Sequence, residues 1–266
     1  MAGRQMTAAL RLVAVYCKLN LAAAMEYRTS FLAQCLGMVA NDALLFFFWW
    51  IYFQRFRQVG GWTLLDLVSL YGLVAAAYGL ATVVFGNCNR LATVISEGQL
   101  DYYLTLPKNP LLHVLVSRSS LAGWGDLAFG LGALAVAAWQ GALPIPLAVI
   151  FLVTSTAIAV GYTTLIGSLA FFIGNAEAAA FQARDAMINF SLYPSPIFQG
   201  WTKVMLLTIV PAGFIAHLPI ELMRTFDPWR MGLLLAFTAV LWAMVLIVFR
   251  MGLRRYESGN LLTLRG

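Results

Sequence analysis

Two aspartates lie inside long apolar stretches of the sequence, Asp42 directly after Asn41 and Asp126 two residues after Trp124. A charged side chain at membrane depth is costly, so it usually faces the interior of a helix bundle or a watery cavity. Carboxylates among aromatic rings could bind a cationic amphiphile by charge pairing and by attraction to the ring faces. The aromatic residues that could take part are Phe46, Trp49, Trp50 and Trp124. We therefore take Asp42, Asp126, Asn41, Trp50 and Trp124 as candidates for a substrate path.

A structural role is the alternative for these candidates. Either aspartate could hold two helices together or lie at the membrane boundary, and tryptophans are common anchors at the lipid interface. No set of serine, histidine and acid points to hydrolysis, so an intramembrane enzyme is a minor alternative. The remaining reactive side chains are too scattered for a metal site or a disulfide framework, namely His113, His217, Cys17, Cys35 and Cys88. We expect no catalytic residue, no metal site and no directly bound cofactor.

The composition fixes the class of protein in which these residues lie. Hydrophobic residues make up 61% of the 266 positions and charged residues 11%, against roughly 25% charged residues in a soluble domain. The mean hydropathy is +0.81, and apolar stretches near the roughly 20 residues of a spanning helix recur along the chain. We therefore predict an all-α integral membrane protein. The net charge of +6 comes from basic residues at the ends and in loops, which favours membrane topology over nucleic-acid binding.

Six spans are predicted, with a re-entrant element at the outer surface between the fifth and the sixth. They run near Phe31–Phe53, Leu64–Phe85, Leu111–Trp139, Leu147–Ile173, Thr202–His217 and Trp229–Phe249. Small residues in the second span, Gly72, Ala76 and Gly79, predict a close approach to another helix. The predicted organisation is a six-span domain over 29–252, which includes a cytoplasmic loop at 86–110, and a cytoplasmic tail at 253–266.

Residues 1–28 predict an amphipathic helix in the lipid headgroup region, because Arg4, Arg11 and Lys18 recur every seven residues. A soluble tail is the alternative. The first strong apolar run begins only near Phe31, so we expect no cleavable signal peptide. Basic residues cluster before the first span and after the last, which predicts both termini in the cytoplasm and a multi-pass protein of the plasma (inner) membrane. Arg55 and Arg57, in a loop assigned to the outside, count against this orientation.

The segment Ile95–Arg118 has helical spacing but is too short to cross a membrane. Glu97 and Asp101 are four residues apart, as are Leu100 and Leu104, which predicts an acidic edge beside an apolar edge on one short helix. Pro107 and Pro110 would end that helix. A short amphipathic helix between two spans could transmit the motion of a soluble partner, whereas a solvated turn is the alternative.

The run EGQLDYYLTLPKNPLL within this segment resembles the E-G-x-L-D-x-x-L-x-x-P-x-x-P-L pattern of ABC type-2 permeases, in the group similar to drug and viologen exporters. The matching residues are Glu97, Gly98, Leu100, Asp101, Leu104, Pro107, Pro110 and Leu111. Looser similarity extends to NFSLYPSPIF, TIVPAGFIAHLPIELM and the ending RRYESGN. The resemblance therefore covers nearly the whole chain, including the order of the six spans.

The resemblance implies a permease that exports a small amphiphilic or drug-like substrate with a separate ATPase subunit. It implies two copies of that ATPase, which would use ATP and Mg, each docked on a coupling helix formed by Glu97, Gly98, Leu100, Asp101, Leu104 and Pro107. The second permease would be another copy or a paralogue, membrane lipid would surround the pair, and no nucleic acid would bind. The sequence itself has no G-x-x-x-x-G-K-[ST] phosphate loop.

Two other functions stay open on the residues alone. An ion-gradient-driven secondary transporter or channel would favour inverted repeats with paired broken helices, whereas the sequence shows one broken region, near Pro211. A membrane assembly protein without transport would tolerate substitution of Glu97 and Asp101.

Overall fold

The computed structural model describes residues 2–107, 109–141, 143–174 and 176–256, with side chains from Thr7 onward. Within these ranges the chain is an all-α protein, and no strand forms. Of the predicted tail, residues 257–266, which include the ending ESGN, lie outside the described residues, as does the side chain of Arg4.

Thirteen α-helices are present in the described ranges. They are α1 (Ala2–Glu26), α2 (Arg28–Arg55), α3 (Leu64–Phe85), α4 (Leu91–Ser96), α5 (Leu100–Leu104), α6 (Pro110–Val116), α7 (Ala122–Trp139), α8 (Ile145–Gly167), α9 (Ala170–Ile173), α10 (Glu177–Ser191), α11 (Trp201–Thr208), α12 (Leu218–Arg224) and α13 (Pro228–Leu253). Shorter helical turns cover Gly86–Arg90, Ser195–Ile197 and Gly213–His217.

Six helical stretches in the described part of the chain are long and apolar enough to cross a membrane. They are Thr7–Glu26, Arg28–Arg55, Leu64–Ser96, Ala122–Trp139, Ile145–Ile173 and Pro228–Leu253. The prediction of an all-α integral membrane protein is therefore confirmed. The set differs from the predicted spans in two places, since α1 is long and apolar enough to be included and the predicted fifth span, Thr202–His217, is not among the six.

The predicted fifth span is wrong as a single helix. α11 and the stretch Gly213–Arg224 meet at a bend of 81°. Pro211 lies in the break, where its ring and its missing N–H prevent a continuous helix. Arg224, at the end of this bent pair, donates a hydrogen bond of 2.9 Å to the carbonyl of Gly61. Pro196, just before the pair, packs against Gly60. Both ends of the bent pair therefore lie at the same end of the bundle, as in a re-entrant hairpin.

The connection between the two ends of the bundle is made instead by α10. Before it, α9 packs against α4, which leads into α5, so this end is called the α5 end. After α10, Tyr193 packs on Trp49 with ring centroids 6.1 Å apart, and Pro196 reaches the turn at Gly60 and Gly61, called the Gly60 end. A helix of 15 residues covers about 22 Å, short for a span. Because α10 is short and carries charged residues, hydropathy alone predicted a connector in this part of the chain.

The close approach predicted for the second span is confirmed, and its partner is α7. A Cβ placed on Gly79 would lie 2.8 Å from the Cα of Leu127 and 2.9 Å from the carbonyl oxygen of Gly123. One placed on Gly72 would lie 2.9 Å from the backbone nitrogen of Leu134. Backbones this close gain dispersion contacts that larger side chains would prevent, which is how helices associate where lipid removes the hydrophobic driving force.

The predicted loop at 86–110 begins later than expected. Residues 91–95 are helical and buried, so α3 continues through the turn Gly86–Arg90 and α4 as far as Ser96. The predicted third span is also divided, because α6 ends at Val116 and α7 begins at Ala122. Between them the Ser120 N–H donates to the Thr82 carbonyl at 3.0 Å, which fixes this break against α3.

The first helix lies beside the loop at the α5 end. The Tyr16 hydroxyl is 3.2 Å from His113 Nδ1, and Asn20 Nδ2 donates to the Val116 carbonyl at 3.2 Å. Arg11 and Lys18 are exposed on another face. These contacts hold α1 against α6, and its interfacial position stays a prediction.

Candidate functional site

The structure brings the two predicted aspartates together. Asp42 is on α2 and Asp126 is on α7, and these two helices pack against each other. The two carboxyl groups lie close enough to interact directly, and the Asn41 side chain is beside Asp42. Residues 84 positions apart in the sequence thus form one acidic pair inside the bundle.

The aromatic residues predicted to surround this pair do not all face the interior of the bundle. Trp124 packs edge-to-face on Phe31 with centroids 6.5 Å apart. Trp50 is 42% exposed and stacks on Phe47. Trp49 is the buried tryptophan of α2, at 5% exposure. The predicted place of Trp50 beside the acidic pair is therefore not supported, because a helix turns by about 100° per residue and puts Trp49 on the inner face instead.

A cavity of about 210 Å³ extends from Asp126 into the bundle between α3, α7, α8 and α10. Its polar lining includes Tyr78, Thr163 and Arg184. Sequence reasoning had not assigned Arg184 or Tyr78 to a site. The only signal available was that Arg184 is a cation between apolar stretches, and its charged neighbours Glu177 and Asp185 made that segment resemble a connector.

The predicted coupling segment forms a surface element anchored by one side chain. Leu100 is fully buried, whereas Glu97, Tyr102 and Leu104 are exposed. Gly98 has a φ of 73°, in the left-handed region that side chains disfavour. This turn separates α4 from α5 and sets the direction in which α5 leaves the bundle.

The predicted acidic edge on one helix is wrong. Glu97 ends α4, and its carboxylate accepts a hydrogen bond of 2.6 Å from Gln99 Nε2. Asp101 lies in the first turn of α5, beyond the break at Gly98. The four-residue spacing suggested one helix, because the spacing of residue types does not reveal that the backbone turns at Gly98, where φ is positive.

Asp101 faces the last span instead. It lies beside Tyr256, just after the end of α13, and burial together with this carboxyl raises the pKa of Tyr256 to about 12. The Tyr256 ring packs edge-to-face on Phe171 with centroids 5.9 Å apart, and Phe171 packs on Phe249 of α13. α5 therefore lies against Tyr256 just after α13, and Tyr256 in turn packs on α9.

A hydrogen-bond network ties the other side of α5 to the bundle. The Tyr103 hydroxyl donates to Ser117 Oγ at 3.0 Å, and Asn87 Nδ2 donates to the same oxygen at 2.9 Å. Asn87 is 1% exposed, so this anchor lies inside the protein. His113 Nε2 is 2.9 Å from the carbonyl oxygen of Pro107, which fixes the exit from α5. The exposed side of α5 is thus presented on a firmly held base.

A metal site has no support in the described residues, where no group of three potential ligands among His, Cys, Asp and Glu converges. The two sides of α5 differ, since one side is hydrogen-bonded to the bundle and the other leaves Tyr102, Leu104 and Pro107 exposed.

Comparison with known proteins identifies the fold that holds these sites. The family model described as ABC-2 family transporter protein matches residues 39–259, which include the acidic pair, α5 and the bent pair. Neither the curated proteins nor the solved structures compared with the chain gave a match. Since the family match covers most of the chain and all of its predicted spans except the start of the first, the protein belongs to the ABC-2 family of transporter proteins and is a multi-pass membrane permease of an ABC transporter.

Proposed function

We propose that this permease exports a small amphiphilic or drug-like substrate from the cytoplasm, driven by a separate ABC ATPase that docks on α5. The observation that carries the proposal is the two-sided construction of α5. Leu100 is fully buried, while Tyr102 at 65% and Leu104 at 42% are exposed beside Glu97. An exposed tyrosine and leucine on a rigid base are the kind of contact that dominates binding at protein interfaces.

The coupling path runs from α5 into two parts of the bundle. Tyr103 links it through Ser117 to Asn87, at the continuation of α3, and Asp101 lies beside Tyr256 at the end of α13. A movement of the docked ATPase would therefore reach α3 and α13 together. ATP binding would favour one of two arrangements of the spans, as a ligand that binds one state more tightly does.

The acidic pair supports the substrate side of the proposal. Asp42 and Asp126 place two neighbouring carboxyl groups inside the bundle, where they would attract a cationic group. The aromatic side chains of α2 supply apolar contacts for the rest of an amphiphile.

The assembly we infer contains two permeases, identical or paralogous, and two ATPase subunits in the plasma (inner) membrane, with both permease termini in the cytoplasm. Exposed apolar side chains cover α2 and α13, where lipid and the second permease would lie. ATP and Mg would be bound by the ATPase.

Copurification with a candidate ATPase subunit tests the proposal. Native permease should retain the ATPase and stimulate ATP hydrolysis, whereas Glu97→Ala and Asp101→Ala should lose the ATPase or uncouple hydrolysis from transport. Arg57→Ala is the matched control, because it removes an exposed charge beyond the other end of α2.

The opposite outcome would favour a different function. If no ATPase copurifies and both loop variants behave like the native chain, transport driven by an ion gradient becomes the next function to test. If the chain moves no substrate under either energy source, an assembly role remains.

A further inference from the structure

The cavity beside Asp126 carries both signs of charge. It occupies about 210 Å³, far more than the roughly 10–15 Å³ that one water needs. Asp126 of α7 and Arg184 of α10 both line it, together with Cys88 and Asn89 at its α3 side. Such a space is large enough for the charged head of a small organic molecule.

Arg184 enters the cavity without a partner for its charge. Among the described residues it forms no ion pair within 4.0 Å, and its buried Nε has no hydrogen-bond partner. Its guanidinium lies 5.1 Å from the centre of the Phe181 ring, which covers one face. A buried cationic donor left unpaired is costly, so an anionic group placed against it would be strongly favoured.

A negative group also lines the cavity. Asp126 is a lining residue, and the Asp42 carboxyl group lies directly beside it. Asp126 and Arg184 line one cavity yet do not join in an ion pair. Opposite charges held apart across a cavity fit a ligand that carries a cation at one end and an anion at the other.

We propose that this cavity binds a zwitterionic head group, with its cation against the Asp126 and Asp42 pair and its anion against Arg184. The inference rests on the proposed function, because the bound molecule is the exported substrate only if the protein is an exporter. It narrows the substrate class from cationic to zwitterionic amphiphiles. The head group fills the cavity and an apolar tail extends from its opening. A free zwitterionic solute and a zwitterionic lipid head group share this chemistry.

Protection of the Cys88 thiol from chemical modification tests the proposal on purified permease without any ATPase. Cys17→Ser and Cys35→Ser leave Cys88, a cavity residue, as the single thiol of the chain. The rate of its reaction with methyl methanethiosulfonate is measured with glycine betaine, choline, acetate or dihexanoyl phosphatidylcholine. At about ten times its Kd a ligand leaves roughly a tenth of the cavities free, so the reaction should slow about tenfold.

The expected result is strong protection by glycine betaine or by the short-chain lipid, and weak protection by choline or acetate. Protection by the lipid alone identifies a lipid head group as the source, and protection by glycine betaine identifies a free solute. Equal protection by choline and glycine betaine would overturn the zwitterion proposal in favour of a simple cation site. No protection by any probe would also overturn it.

Matched variants separate the two charges. Arg184→Gln and Asp126→Asn should each abolish protection, whereas Arg250→Gln and Asp185→Asn, which change the same charges outside the cavity, should keep it. Because the probe series on the background protein decides the outcome by itself, a variant that fails to fold does not obscure the result. Copurification of the ATPase is measured separately, so failure here leaves the permease proposal standing.

Discussion

The contact between α3 and α7 makes a quantitative prediction about stability. A Cβ added at Gly130 would lie 2.7 Å from the Cα of Ala76 and 2.7 Å from the carbonyl oxygen of Gly72. Both are backbone atoms, so no side-chain rotation relieves the clash and the helices must separate. Overpacking of this kind costs about 1–3 kcal/mol, and we expect the upper end for Gly130→Ala because the backbone itself must move.

Gly132→Ala on the same helix is the matched control. A Cβ there meets nothing within 4 Å. Both substitutions gain about 0.4–1 kcal/mol by restricting the unfolded chain, so this gain cancels when the two variants are compared. Gly132→Ala should be slightly more stable than the native protein and Gly130→Ala about 2 kcal/mol less stable. The free energy of unfolding is measured in mixed micelles with increasing dodecyl sulfate, followed by tryptophan fluorescence. Equal stability of the two variants would refute the close approach of α3 and α7.

Three further predictions concern α5 and its contacts. Tyr102→Ala should weaken copurification of the ATPase about tenfold, whereas Tyr27→Ala, at a similar 69% exposure, should leave it unchanged. Gly98→Ala should reduce ATP-driven transport, because a side chain at this positive φ would reorient α5. Gly141 has the same φ of 73° but is far from α5, so Gly141→Ala should leave transport unchanged. Equal transport by both variants would contradict the role of Gly98. The raised pKa of Tyr256, about 12 against 10.0, means that the unfolded state ionises first, so stability should fall between about pH 10 and 12. Alkaline unfolding should show a smaller fall for Tyr256→Phe, and an unchanged profile would argue against the contact with Asp101.

The coarse architecture could be predicted from the sequence, because a helix needs about 20 apolar residues to cross a bilayer and such stretches can be counted. The spans around α2, α8 and α13 agree with the structure to within a few residues, and the span of α3 begins where predicted but continues to Ser96. The coupling segment could also be found, since its proline and glycine spacing is local. Its geometry could not, because the positive φ of Gly98 places Glu97 and Asp101 on different helices.

Hydropathy could not predict which segments between α8 and α13 cross the bundle. α10 carries Glu177, Arg184 and Asp185, and so it has the composition of a connector. Arg184 faces the cavity, whereas Glu177 is exposed and Asp185 accepts a hydrogen bond from Asn189 of the same helix, so the three charges are placed at a lower cost than hydropathy assigns to them. The apolar stretch after it bends by 81° and returns to the Gly60 end, since Pro211 interrupts it.

The sequence by itself determined that this protein is a helical membrane permease, and it placed Asp42 and Asp126 among the residues to test. Only the tertiary structure decided that these two carboxyls form one pair, that Trp49 rather than Trp50 faces inward, and that Arg184 shares a cavity with Asp126. The physical reason is that lipid is as apolar as the core of the bundle. A spanning helix is therefore hydrophobic on every face, and its sequence does not show which face meets a partner.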